Sequence, residues 1–310
     1  MNTPKKVRIC EVGLRDGLQN EKSLLTTDQK VELVQGLIDA GFKVIEVGSF
    51  MHPVKVPQMA DTDEVLKRIG DVEGVELRAL IPNLRGVERA VKCGCKKVKL
   101  NVSASRMHNL KNLNRTPEES VAKFGEVCEA ALAAGIAISG SISMPFASPW
   151  EGVTPVEDVD SIIEAYGKVG IHEVSLSDAS GMATPAQVAA LCAHVQEKFP
   201  ENTWWLHFHN TRGLAMANIV AAMDVGMTQF DSSFGGLGGC PFVPNAAGNI
   251  STEDVLHMCE ASGIETGVDL PKVMALTRSL REMLGKEITE SYVLKAGRNA
   301  DLIAQMAENE

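Results

Sequence analysis

The chain has 310 residues, 45% of them hydrophobic, 23% charged and 5% aromatic, with 27 glycines and 13 prolines. That balance suits a large packed core and excludes a disordered, collagenous or coiled-coil chain. The formal net charge of −10 leaves no cationic excess for a nucleic acid or an anionic membrane surface, and no apolar run approaches the roughly 18 residues of a membrane-spanning helix.

The opening residues, Met1 to Gly17, enter a strand-like segment almost at once, without the apolar core of a signal peptide or an Arg/Ser-rich transit stretch. Seven cysteines, at 10, 93, 95, 128, 192, 240 and 259, are scattered with no dense disulfide spacing, and Cys93-Gly94-Cys95 is too tight for a zinc knuckle. Both features lead us to expect a cytoplasmic chain with reduced thiols.

Eight short runs rich in β-branched and aliphatic residues follow one another: 7–12, 44–48, 76–81, 97–102, 136–143, 173–178, 204–209 and 229–234. Segments of helical period, such as 30–38 and 188–195, lie between them. Thr116-Pro117-Glu118-Glu119, Thr154-Pro155-Val156-Glu157 and Thr184-Pro185-Ala186-Gln187 each read as Thr at N-cap, Pro at N1 and Glu or Gln at N3; Thr26 to Gln29 repeats the box without proline. Gly41, Gly135 and Gly170 stand where left-handed helix ends are expected. An unbroken βα series predicts one α/β domain over residues 1–310, a closed (β/α)8 TIM barrel, with helices from about 252 onward extending it. A doubly wound sheet is the alternative, but the first βα turn, Gly13-Leu14-Arg15-Asp16-Gly17, lacks the GxGxxG fingerprint.

In such a barrel the chemistry sits at the carboxyl ends of the strands. The first run ends in Arg15 and Asp16, the second carries Glu46, the seventh ends His207-Phe208-His209, and the eighth enters Gly235-Gly236-Leu237-Gly238-Gly239-Cys240. Residues two apart share a strand face, so both imidazoles can point into the mouth as metal ligands. Asp16, on the strand that neighbours the eighth in a closed barrel, is the best oxygen donor, and Asn249 can add an amide oxygen. Two nitrogens and two oxygens with open positions suit Mg²⁺ or Mn²⁺ more than structural zinc, though zinc stays open. The glycine loop reads as a mobile lid delivering Cys240 into the mouth, and Arg15 as a guanidinium placed for an enolate or carboxylate.

The stretches Glu11-Val12-Gly13-Leu14-Arg15-Asp16-Gly17-Leu18-Gln19-Asn20-Glu21-Lys22, His207-Phe208-His209-Asn210-Thr211, Gly235 to Phe242 and Gly248-Asn249 resemble the 3-hydroxy-3-methylglutaryl-CoA lyase family, within the DRE-TIM metallolyases. The resemblance covers about residues 7 to 290. It implies a divalent cation on Asp16, His207, His209 and Asn249, Arg15 stabilising the enolate, Glu46 assisting proton transfer, and Cys240 as the acid or base at the acyl-CoA product. Lys22 and Asn112 match positions near the CoA ester. An acyl-CoA substrate and a homo-oligomer, dimer or larger, are expected, with no nucleic-acid or membrane partner.

Two stretches depart from the family. Ser143-Met144-Pro145-Phe146-Ala147-Ser148-Pro149-Trp150-Glu151-Gly152 replaces the usual Cys-Pro-Tyr-Glu-Gly, and Ala179 stands where threonine is common. Both predict an acyl branch that differs from methyl, longer or more apolar. The rival readings are a Claisen-type synthase or 2-oxo acid aldolase of the same superfamily, and a non-catalytic metabolite-binding barrel.

Overall fold

Each aliphatic run becomes a strand in the computed structural model, which describes residues 2–239, 247–287 and 290–308. In chain order the strands are β1 (Arg8–Glu11), β2 (Val44–Ser49), β3 (Glu76–Ile81), β4 (Lys97–Ser103), β5 (Ala137–Ser143), a two-stranded hairpin of β6 (Ala147–Ser148) and β7 (Gly152–Val153), then β8 (Glu173–Asp178), β9 (Thr203–Phe208) and β10 (Gln229–Ser232). Eight of them close in the order β1-β10-β9-β8-β5-β4-β3-β2, and only the hairpin stands apart. The closing pair is parallel, from Arg8↔Gln229 to Glu11↔Ser232. This is the (β/α)8 barrel expected, and closure removes the doubly wound alternative.

The strand sequences alternate because the two faces meet different surroundings. Val98, Leu100 and Val102 of β4, Ile138 and Ile142 of β5, and Val174 and Leu176 of β8 join the core beneath the helices. Their neighbours one residue away, Lys99, Asn101, Ser141, Ser143 and Ser177, face the barrel interior and line its mouth. Lower in the barrel, Trp205 packs with Cys10, Val12 and Val44. The Arg78 guanidinium lies 4.9 Å from the Trp205 ring centroid and closes the floor.

Capping chemistry sets the helices as read from the sequence, with one exception. Thr26, Thr116 and Thr184 form complete capping boxes with Gln29, Glu119 and Gln187. Thr154 does not cap: its hydroxyl donates to the Met144 carbonyl at 2.7 Å, and the helix Val156–Lys168 begins after Pro155. The β6–β7 hairpin holds that threonine, since its amide also donates to Phe146 O. Gly41, Gly135 and Gly170 all take positive φ just beyond their helices. The helix Thr252–Ala261 follows β10 and completes the ring, so the additions to the barrel start with Leu270–Leu284, which packs beside the helix Thr27–Asp39. No helix among the described residues is long and apolar enough to cross a membrane.

Candidate active site

The turn after β1 is wide. Amides of Arg15, Asp16 and Gly17 all donate to the Val12 carbonyl, at 3.0, 2.8 and 3.3 Å, making one π-helical turn over Gly13–Gly17. Glu11 fixes that turn to the other end of the chain: its carboxyl accepts from Gly13 N at 2.7 Å and Phe234 N at 3.0 Å, and its other oxygen meets Thr252 Oγ1 at 2.7 Å. Burial pushes the Glu11 carboxyl up to about 8. Glu253 does the same for the glycine loop, accepting from Gly235 N at 2.9 and 3.0 Å and from Ser251 Oγ at 2.6 Å. Neither acid was singled out from the sequence.

Around the mouth, six side chains form a closed cycle of charge. Arg15 Nε donates to Glu46 Oε1 at 2.5 Å, and its Nη1 donates to Asp16 Oδ1 at 2.5 Å. Glu46 Oε2 and Asp231 Oδ2 each accept from Lys99 Nζ at 3.2 Å. Asp231 Oδ2 is 3.3 Å from His207 Nδ1, and His207 Nε2 is 3.8 Å from Asp16 Oδ2, which returns to Arg15. Burial works against every charge here, and the partners outweigh it. Arg15 and Lys99 hold Glu46 below the usual carboxylate range, Arg15 with the two imidazoles holds Asp16 well below it, and Asp231 and Glu46 push Lys99 up to about 12. Lys99 and Asp231 were missed in the sequence; their signal is a charged residue at an inward position of a strand whose alternate positions are apolar.

Asp16 and His207 of the cycle, with His209 beside them, each offer a ligand atom, all within 4.8 Å of one another. His209 Nε2 stands 3.4 Å from Asp16 Oδ2. Asn249 reaches the cluster because it bridges to His209 across two antiparallel segments, and its Nδ2 donates to Asp16 Oδ2 and Leu237 O, both at 2.9 Å. Among the described residues its Oδ1 is buried without a partner, as is Nδ1 of His209. Two imidazoles, a carboxylate held ionised and an orphaned amide oxygen form a donor set that fits a divalent cation. Gly238 makes the approach possible: at φ +124°, a Cβ there would lie 2.4 Å from Asn249 Nδ2.

A pocket opens above the cluster between Arg15, Asp16, Lys99, His207 and His209, with Met51, Leu80, Ile81, Pro82 and Leu113 on one side. Asn112 and Ala179 line it as well. Lys22 is exposed and is not among the lining residues. Trp150 stands one layer back, stacked on His108 with centroids 6.0 Å apart. Cys240 lies outside the described residues, directly after Gly239, whose carbonyl accepts from Asn20 Nδ2 at 2.7 Å at the pocket edge. A roomier cavity at the amino-terminal end of the barrel, beside Arg8, Lys43 and Lys97, brings together no metal-donor set among the described residues.

A closed βα barrel whose mouth joins two imidazoles and an aspartate to an arginine pinned by two carboxylates defines a TIM-barrel enzyme class with a candidate divalent-cation site at the carboxyl end of its strands. The HMGL-like family model matches residues 6–280, and the chain belongs to that family. It is 41% identical over 288 residues to the hydroxymethylglutaryl-CoA lyase YngG of Bacillus subtilis, covering 93% of this chain and 96% of that protein. Against the mitochondrial hydroxymethylglutaryl-CoA lyase of Homo sapiens the identity is 40% over 293 residues, covering 94% and 90%. The solved structure of an HMG-CoA lyase from Acinetobacter baumannii in complex with coenzyme A and 3-methylmalate superposes with a TM-score of 0.92 at 42% identity, covering 96% of this chain and 97% of that one. The chain is a carbon–carbon lyase of this type.

Proposed function

We propose that the chain cleaves 3-hydroxy-3-methylglutaryl-CoA, or a close 3-hydroxy-3-substituted relative, to acetyl-CoA and acetoacetate or the matching keto acid. The observation that carries this reading is the convergence of Asp16, His207 and His209 ligand atoms within 4.8 Å beside a half-buried, carboxylate-pinned Arg15. Asp16, His207, His209 and Asn249 would hold Mg²⁺ or Mn²⁺, which suit a mixed nitrogen and oxygen set with open positions. Such a cation, when bound, polarises the tertiary hydroxyl and lowers its pKa.

The protein's own groups do the rest. Loss of the hydroxyl proton lets the C3–O bond become a carbonyl, the C2–C3 bond breaks, and its electron pair moves onto the thioester as an enolate. Arg15 pairs with that enolate oxygen, and its charge is secured by Glu46 and Asp16. Glu46 aims the guanidinium through the 2.5 Å hydrogen bond and, held below the usual carboxylate range, stays ionised to accept a proton transiently during transfer. Cys240, which the glycine loop carries past Gly239 at the pocket edge, supplies the proton that turns the enolate carbon into the methyl of acetyl-CoA. One proton leaves oxygen and one arrives at carbon, so the reaction needs no redox partner. Asn112 meets the thioester arm where it enters the pocket, and the exposed Lys22 meets the anionic remainder of CoA. The six described cysteines are buried and unpaired, which supports a cytoplasmic setting. Leu302, Ile303 and Met306, exposed on the helix Asn299–Glu308, support a homo-oligomer.

Incubation of the Mg²⁺-loaded protein with 3-hydroxy-3-methylglutaryl-CoA and a panel of 3-substituted analogues tests the reading. Acetyl-CoA should form with one equivalent of the keto acid. Metal-replete enzyme that cleaves no member of the panel would sink it.

A further inference from the structure

Lys99 carries a charge that the lyase reaction, as outlined for Arg15, Glu46 and Cys240, does not use. It sits at an inward position of β4, 2% exposed, between Glu46 of β2 and Asp231 of β10, both buried. Its Nζ donates to Glu46 Oε2 and to Asp231 Oδ2, each at 3.2 Å. A barrel interior is ordinarily filled by layers of aliphatic side chains, and replacing buried ionic groups by apolar residues of their size is often neutral or stabilising. Three charges held together in this interior therefore point to a use other than stability.

The contacts show what the ammonium does. Glu46 has both oxygens engaged, Oε1 accepting from Arg15 Nε at 2.5 Å and Oε2 accepting from Lys99. The carboxylate is thus held at two points, and turning it towards one partner would release the other. Asp231 anchors Lys99 from the far side of the barrel interior, where the flexible lysine stem would otherwise be free to swing. Arg78, lower in the interior, does not take its place, because that guanidinium is paired with Glu76 and Glu173. Lys99 is no proton donor itself: burial disfavours its charge, but Asp231 and Glu46 outweigh burial and push it up to about 12, so it stays an ammonium.

We propose that Lys99 is a positioning residue for the reaction: anchored by Asp231, its ammonium fixes Glu46 so that the other carboxylate oxygen stays on Arg15. The inference rests on the proposed lyase activity, in which Glu46 aims the guanidinium and accepts a proton, and it assigns the placing of Glu46 to a residue 53 positions away. The groups facing Glu46 are Arg15 from the turn after β1, Lys99 from β4 and Asp231 from β10, with Arg78 its ladder neighbour on β3 and the Cys10 thiol of β1 close by. Burial and Asp231 oppose the ionised form of Glu46, while Arg15 and Lys99 favour it and prevail. Without the Lys99 charge, two buried carboxylates face one another and only Arg15 is left on Glu46, which then takes up a proton at higher pH.

The test compares Mg²⁺-loaded wild type with Lys99→Met and Lys99→Gln, which are neutral, and with Lys99→Arg, which keeps the charge. One readout is the pH dependence of kcat/KM on 3-hydroxy-3-methylglutaryl-CoA. The other is the infrared band of a protonated carboxyl group in the substrate-free protein, assigned by its loss on adding Glu46→Gln. The neutral variants should lose about 10²-fold in kcat with KM within about threefold, the pattern of a group that acts in the transition state. Their acid limb of kcat/KM should move up by about one pH unit or more, and the carboxyl band should appear near neutral pH, since a cation beside a carboxylate is worth about 1 to 3 units. Lys99→Arg should keep the limb within about half a unit of wild type and show no new band, whatever its kcat. A merely structural lysine would lower Tm and leave limb and band in place, so an unmoved limb and no band in the neutral variants overturn the assignment, as does a limb that moves equally in Lys99→Arg. If neither neutral variant folds, Lys99→Met/Glu46→Gln decides: folding restored by removing the carboxylate with the cation upholds the pairing, and folding not restored overturns it. Wild type that cleaves no thioester overturns the lyase reading instead, and the infrared band alone then decides whether Lys99 holds Glu46.

Discussion

Asp231 meets His207 through Oδ2 and Nδ1 at 3.3 Å, on the opposite side of the imidazole from Asp16. A carboxylate behind a ligating histidine fixes the tautomer, leaving the Nε2 lone pair for the metal and raising its basicity. Asp231→Asn keeps the shape and removes the charge. We expect the variant to fold, and to bind Mn²⁺ about 10- to 100-fold more weakly, the range usual for such partners. Titration followed by electron paramagnetic resonance measures this; unchanged Mn²⁺ affinity would show that His207 is oriented by something else.

The ligands themselves give the stronger effect. His207→Ala and Asp16→Ala each remove a donor from a cluster of three with atoms within 4.8 Å. Each variant should lose both bound metal and turnover, and chelation should stop the wild type until Mg²⁺ or Mn²⁺ is returned. Full metal occupancy in either variant by elemental analysis would break the ligand assignment.

The barrel was legible because its signals are local. Eight aliphatic runs, the capping boxes at Thr26, Thr116 and Thr184, and glycines past helix ends each depend on a few adjacent residues. The cluster of Asp16, His207 and His209 was legible for a related reason: strand period and barrel closure fix where strand ends meet. Lys99 and Asp231 were not, since their importance lies in pairing across the barrel interior, Lys99 with residues 53 and 132 positions away. Thr154 shows the same limit in reverse, as its capping pattern lost to a hairpin contact ten residues back that local spacing does not encode.

Gly238 allows a test of Asn249 that leaves the ligand side chains untouched. With φ at +124° and a would-be Cβ 2.4 Å from Asn249 Nδ2, Gly238→Ala strains the backbone and displaces the amide. The expected result is at least about tenfold weaker metal binding with a modest fall in Tm, of the size usual for one strained residue. Wild-type metal affinity in this variant would remove Asn249 from the donor set.

Cys240 separates a chemical role from a structural one. A positioned acid or base contributes about 10² to 10⁴ in rate, so Cys240→Ala should lose that much in kcat while its melting temperature and metal content stay near wild type. Thiol alkylation should inactivate wild type, and substrate should protect it. Near-normal kcat in Cys240→Ala would leave the proton donor to be sought elsewhere.

Glu11 predicts a pH dependence whose sign follows from its burial. Its carboxyl is pushed from 4.5 up to about 8, so the folded state binds this proton more tightly than the unfolded chain does. The stabilisation is therefore fully present below about 4.5 and is lost as pH rises through about 8. Glu11→Gln mimics the protonated acid: its carbonyl can still accept from Gly13 N and Phe234 N, and its NH₂ can donate to Thr252 Oγ1. Urea unfolding of metal-free wild type and variant between about pH 5 and pH 9 should show the stability difference shifting in favour of the variant as pH rises, with Glu253, raised in the same direction, common to both. Because Glu11 joins the Arg15–Asp16 turn to the start of the glycine loop, the same shift should appear in the protection of the Gly13 and Phe234 amides from hydrogen exchange. A stability difference that stays flat across that range would mean that Glu11 is ionised in the fold at neutral pH and that its hydrogen bonds, not its proton, hold the two segments together.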